Sequence, residues 1–190
     1  DWRRSFQDWF ALLNHGYRLT AVGSSDCHDV SRYIVGQGRT YVAGHDSTPG
    51  QINVEEACQS FLSGRALVSM GLLTQMTVDG KFGVGDLVKE PGRQIRIAIS
   101  VLGPSWVNAD RVELFANGVK VREQSIKPSK PSSGPRAGKY DPVKAKVVWN
   151  IRRPKHDVHL IAMATGPAVN GLHWAIPRPY QPSSAVWKPG

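Results

Sequence analysis

The sequence predicts an α+β chain: a helix-and-strand segment over residues 1–71, an antiparallel β-sandwich of immunoglobulin-like architecture over 72–176, and a proline-rich tail over 177–190. Two observations carry this division. Apolar residues recur at helical spacing at the start of the chain, and from Leu72 onward the period changes to the two-residue alternation of half-buried strands. A third, the Asn117-Gly118 pair between two alternating runs, is a hairpin signal of the kind antiparallel sheets use.

Trp2, Phe6, Trp9, Phe10 and Leu13 lie on one helical stripe, and Gly16 follows as a C-terminal cap. The apolar run Thr20-Ala21-Val22 reads as a strand that breaks at Gly23 and leads into Ser24-Ser25-Asp26-Cys27-His28. A second helix is signalled by Asn53 as N-cap and Glu56 three residues on, with Ala57, Phe61 and Leu62 as its apolar stripe and Gly64 as its end. The crossing to the second domain is expected at Met70-Gly71.

Within the sandwich, Ile95, Ile97, Ile99 and Val101 alternate with Arg96, Ala98 and Ser100. Val112 and Leu114 flank Glu113, and Val119 and Val121 follow the turn. Ala145, Val147, Trp149 and Ile151 form another alternating run, and Val158, Leu160, Ala162 and Ala164 the last. At least five short strands joined by turns define a sandwich. The stretch from Ser125 to Pro142 has no core-forming pattern and reads as a long loop, and the tail after Ile176 as extended chain.

The feature with chemical content is Asp26-Cys27-His28. In an extended segment residues i and i+2 point the same way, so Asp26 and His28 can face one cavity. A carboxylate beside an imidazole suits Zn, Mn or Fe. The same residues in a post-strand loop also serve to cap a helix or satisfy a turn. Asp29 can accept a hydrogen bond that orients a ligand, or start a turn. Arg39 is the cation to place near an anionic substrate, its alternative being a surface salt bridge.

The run from Trp9 to His28, Gly38-Arg39-Thr40-Tyr41-Val42, and Gly64-Arg65-Ala66-Leu67-Val68-Ser69-Met70-Gly71 together resemble the polymerase-and-histidinol-phosphatase superfamily. They are similar in particular to its carbaryl-hydrolase-like branch of metal-dependent hydrolases. The resemblance covers roughly the first seventy residues. It implies the C-terminal fragment of a distorted (β/α)7 barrel that holds two or three divalent metals at the carboxyl ends of its strands, with Asp26 and His28 as two ligands. It further implies that the metals activate water against a phosphoester, carbamate or other ester of a small molecule. The family's early His-x-His, mid-chain glutamate and further histidines have no counterpart upstream of Asp26, and His15 lies in the helix instead. A barrel of this type needs roughly 200 residues or more, and fewer than thirty precede the ligand pair. The expectation is therefore the closing part of a longer hydrolase, inactive by itself, that packs on the sandwich, pairs with a second copy as a homo-oligomer, or needs a missing fragment.

Other features narrow the function classes. No apolar run is long enough to cross a bilayer. Two cysteines exclude a disulfide scaffold, and Cys27 and Cys58 lack metal spacing and read as small buried residues. His156 and His159, three apart in a strand, point to opposite faces and do not chelate; His45-Asp46 reads as a turn. Residues 1–70 hold six basic and seven acidic side chains, residues 71–190 eighteen and eight, so the net charge of +9 belongs to the second part. With no basic helix and no RNA-binding aromatic motif, that charge does not indicate a specific nucleic-acid partner. It fits attraction to an anionic surface, which keeps a second function in view: a non-catalytic sandwich module for an anionic surface, a glycan or a partner subunit.

Overall fold

The computed structural model describes residues 2–26, 36–127 and 141–167. Helix α1 spans Trp2–Asn14. It ends as Gly16 requires: with φ at +86°, Gly16 donates to the Leu13 carbonyl at 3.0 Å and Tyr17 to the Leu12 carbonyl at 3.1 Å, the paired bonds of a Schellman cap. Helix α2, Val54–Leu62, ends the same way at Gly64, where Arg65 donates back to Ser60 at 2.9 Å and Gly64 to Phe61 at 3.0 Å. At its start the Asn53 carboxamide oxygen accepts the Glu56 N–H at 3.1 Å, the expected N-cap. The Glu56 carboxylate does not complete a capping box; it meets His45 Nδ1 at 2.6 Å and ties the preceding loop to the helix.

Strands β1, Arg39–Val42, and β2, Ala66–Ser69, form a two-stranded antiparallel ladder, with Arg39 opposite Ser69 and Tyr41 opposite Leu67. The barrel implied by the resemblance has parallel strands, so this pairing differs from it. The strand expected at Thr20–Val22 is also absent from the ladder. That segment runs beside β1 without strand pairing, and a side chain replaces the ladder: Thr40 Oγ1 accepts the Gly23 N–H at 2.9 Å and donates to the Gly23 carbonyl at 3.0 Å.

The sandwich follows the alternation closely. One sheet has the order β3-β4-β7, from Leu73–Val78, Gln94–Leu102 and Val143–Arg152. The other has the order β6-β5-β8, from Val119–Ser125, Arg111–Ala116 and Leu160–Thr165. All pairings are antiparallel. Ile95, Ile97, Ile99 and Val101 of β4 and Val147 of β7 meet Val112 and Leu114 of β5 in one core. Ile97, Leu114, Val101 and Val112 are the largest side chains with almost no exposure, and each such burial stabilises by about 1.5–3 kcal/mol. The Asn117-Gly118 turn joins β5 to β6 with φ of +50° and +81°, as a type I′ hairpin demands. Edge strand β6 is charged and, apart from half-buried Val121, exposed, which protects the sheet from edge-to-edge pairing.

Glu113, which alternation puts on an exposed face, is only 7% exposed. β5 is the central strand of its sheet, and Arg111 and Lys120 cover the carboxylate.

The two parts touch through α1. Phe10, 8% exposed, packs its ring 5.6 Å from Phe115 and 6.0 Å from His159, and Asn14 Nδ2 donates to the Asn117 carbonyl at 3.2 Å. Gly118 permits this approach, since a Cβ there would lie 3.2 Å from Phe10. Of the three arrangements expected for the first part, packing on the sandwich is the one α1 adopts.

Candidate functional site

The chain brings two of the three sequence-predicted site residues onto neighbouring segments. Thr40 clamps Gly23 from both sides, and two glycines allow close contact around that clamp. A Cβ on Gly23 would meet Val68 at 2.7 Å and the Arg39 carbonyl at 3.0 Å; one on Gly38 would meet the Ser24 carbonyl at 2.5 Å. Arg39 therefore starts β1 directly beside the segment that ends in Asp26. His28, with Cys27 and Asp29, lies outside the described residues, as do most of the loop expected between Ser125 and Pro142 and the whole tail.

At Asp26 the backbone turns into the left-handed region, φ +50°, and its N–H donates to Ser24 Oγ at 3.1 Å. The extended geometry assumed for the Asp-x-His pair thus stops at Asp26. Asp is among the few residues that tolerate this conformation, and Asp79 and Asn117 adopt it in ordinary turns of the same chain. Among the described residues no three His, Cys, Asp or Glu side chains gather where a metal ion could sit. The chemistry of the Asp-x-His donors suits a borderline divalent ion, and two donors leave its coordination to be completed by others.

Arg39 has a defined setting. Its Nε donates to the Gly36 carbonyl and Nη1 lies 3.4 Å from Tyr41 Oη. Among the described residues no carboxylate pairs with it. It stands at a cleft of about 450 Å³ between the β1–β2 ladder and the turn after β4. Ser69, Tyr41 and Trp106 also line this cleft. Sequence reasoning passed over these three. Tyr41, two residues from Arg39 in a strand, carried the signal of a shared face; Ser69 and Trp106 reach the cleft only through sheet pairing and sandwich packing.

The other residues weighed for chemistry are placed apart. His45 pairs with Glu56 and is otherwise almost fully exposed. Cys58, expected to be buried, is exposed, on a helix none of whose residues is buried. His156 is exposed, whereas His159 is half-buried against Phe10 with its Nε2 lacking a hydrogen-bond partner. Burial there holds the His159 pKa below its ordinary value. On the sheet edge, Lys120 sits between Glu123 and Glu113; the hydrogen bond with Glu123, then that with Glu113, raises its pKa, and the same bond lowers that of Glu123.

Comparison of the chain with protein-family models, with curated proteins and with solved structures gives no match.

Proposed function

We propose that this chain is the closing part of a metal-dependent hydrolase of the polymerase-and-histidinol-phosphatase type, joined to an immunoglobulin-like sandwich. The observation that supports the reading is the clamp of Gly23 by Thr40, which lays the segment leading to Asp26 beside the start of β1, so that the carboxylate read as a metal ligand and the cation read as an anion binder lie on adjoining segments. In this reading Asp26 and His28 are ligands to a divalent ion (Zn, Mn or Fe), one of two or three in the whole enzyme. A bound divalent ion would supply Lewis acidity and an activated water for attack on a phosphoester, carbamate or other ester. Arg39 holds the anionic or polarised oxygen of the small-molecule substrate. Elemental analysis tests this on the present chain and on a version extended upstream. Metal bound by the extended chain and lost in Asp26→Ala and in His28→Ala is the expected result; an extended chain without metal removes the reading.

A second reading, a sandwich module for an anionic surface, has its own support. On the outer face of the β3-β4-β7 sheet, pleat and register align Arg96 of β4 with Lys144, Lys146 and Arg152 of β7. The outward positions of these three strands carry no carboxylate. Retained binding to an anionic polymer by the chain, abolished when these cations are neutralised, would favour the module.

A further inference from the structure

We propose that the cleft between the β1–β2 ladder and the turn after β4 binds a small organic carboxylate carried on a flat apolar body. This deepens the reading of Arg39 as the substrate-binding cation and rests on it for that residue; the metal assignment at Asp26 and His28 is a separate matter.

The donors converge because of strand geometry. Arg39 and Tyr41 are two apart on β1 and so project from one face, and Ser69 is the direct partner of Arg39 across the ladder, on that same face. Ser69 is only 4% exposed and forms part of the cleft floor. Its Oγ accepts the Gly71 N–H at 3.1 Å, which leaves the hydroxyl hydrogen as a donor. Arg39 commits Nε to Gly36 and one Nη1 hydrogen to Tyr41 Oη at 3.4 Å, so the other Nη1 hydrogen and those of Nη2 remain for a ligand. The Nη1–Nη2 end offers two parallel N–H groups at the spacing of a carboxylate's oxygens. A flat apolar body suits the rest of the lining, which adds Leu73, Leu102, Pro104 and Trp106 to these polar groups. Trp106 is 59% exposed and Tyr41 42% exposed, aromatic surface against which a ring can lie. The cleft volume, about 450 Å³, is in the range of small-molecule sites.

Titration calorimetry on the full chain, stripped of metal with chelator, tests the proposal with benzoate, its neutral isostere benzamide, acetate and phenyl phosphate. Benzoate should bind saturably, about tenfold or more tighter than benzamide, since the charge-assisted bonds to Arg39 are lost in the amide. It should also bind tighter than acetate, which lacks the ring. Arg39→Met should reduce benzoate to the level of benzamide, and Arg39→Lys should recover only part, because an ammonium has no fork. Trp106→Ala should weaken both ring compounds and leave acetate unchanged. The titration is run on metal-free chain and the metal assay on the extended chain, so failure of this proposal and failure of the metal reading are read separately. Equal affinity for benzoate and benzamide on the unaltered chain would overturn the proposal, and this comparison needs no variant to fold. So would a natively folded Arg39→Met that binds benzoate unchanged, or phenyl phosphate binding about tenfold tighter than benzoate.

Discussion

At the scale of single residues, the side chains that matter most here replace something the backbone lacks. Thr40 stands in for a missing ladder by bonding both polar groups of Gly23. Thr40→Val keeps the shape and removes both bonds, so it should cost about 1 kcal/mol or more and speed hydrogen exchange at the Gly23 amide; unchanged exchange would show that the clamp does not hold this segment. His159 is the residue that links the fold to pH. Burial depresses its folded pKa below its ordinary 6.5, so the unfolded chain binds the proton more readily. Its neutral form is fully compatible with the fold above pH 6.5, and stability falls as pH drops from there through the folded value. His159→Gln should therefore lose less thermal stability than the unaltered chain between about pH 7.5 and pH 5; equal losses would place the acid sensitivity elsewhere. The Asp-x-His pair was legible as a motif, but its geometry was not. The left-handed turn at Asp26 depends on a bond to Ser24 that no alternation pattern encodes.

At the scale of elements, what could be read in advance is what local chemistry decides. The sandwich strands, the Asn117-Gly118 turn and both helix ends were legible because alternation, a type I′ dipeptide and a C-terminal glycine act within a few residues of themselves. The antiparallel partnership of β1 with β2, the side-chain clamp that replaces strand pairing at Gly23 and the burial of Glu113 were not, since each depends on a partner far away in sequence. The docking of α1 belongs to the same class. Its stripe of Phe6, Trp9, Phe10 and Leu13 announced a buried face, yet only the fold shows that Phe10 enters between Phe115 and His159. Because Phe10 is the one buried α1 side chain among the described residues, Phe10→Ala should cost about 3 kcal/mol. It should also expose α1 to protease while the sandwich strands stay protected. If instead the whole chain unfolds in one step with no loss of midpoint, α1 contributes nothing to the sandwich.

At the scale of the molecule, apolar exposure is unevenly shared. The sandwich encloses a core, and its exposed large apolar side chains, among them Trp106, Val119 and Val148, are scattered. The first part instead exposes Leu12, Tyr17, Leu19, Val22, Ile52, Val54, Leu62 and Met70, together with the outer side chains of β1 and β2. None of the α2 residues is buried, although Asn53 and Gly64 cap that helix at both ends. A helix with formed caps and a bare apolar stripe has its local requirements met and its packing requirement unmet, since burial of such a face is where most helical stability arises. Exposure of so many large apolar side chains favours association in water. The chain should therefore self-associate as concentration rises, measured by sedimentation velocity, and should bind a hydrophobic dye. Changing Val54, Leu62 and Met70 together to Ser should reduce both effects while leaving circular dichroism in the strand region unaltered. On the proposed reading as the closing part of a larger barrel, the same triple change in a chain extended upstream should be destabilising, because that reading covers these side chains. A chain that remains monomeric and dye-free at high concentration would mean that this surface tolerates water as it is, and would remove the packing argument for a larger barrel.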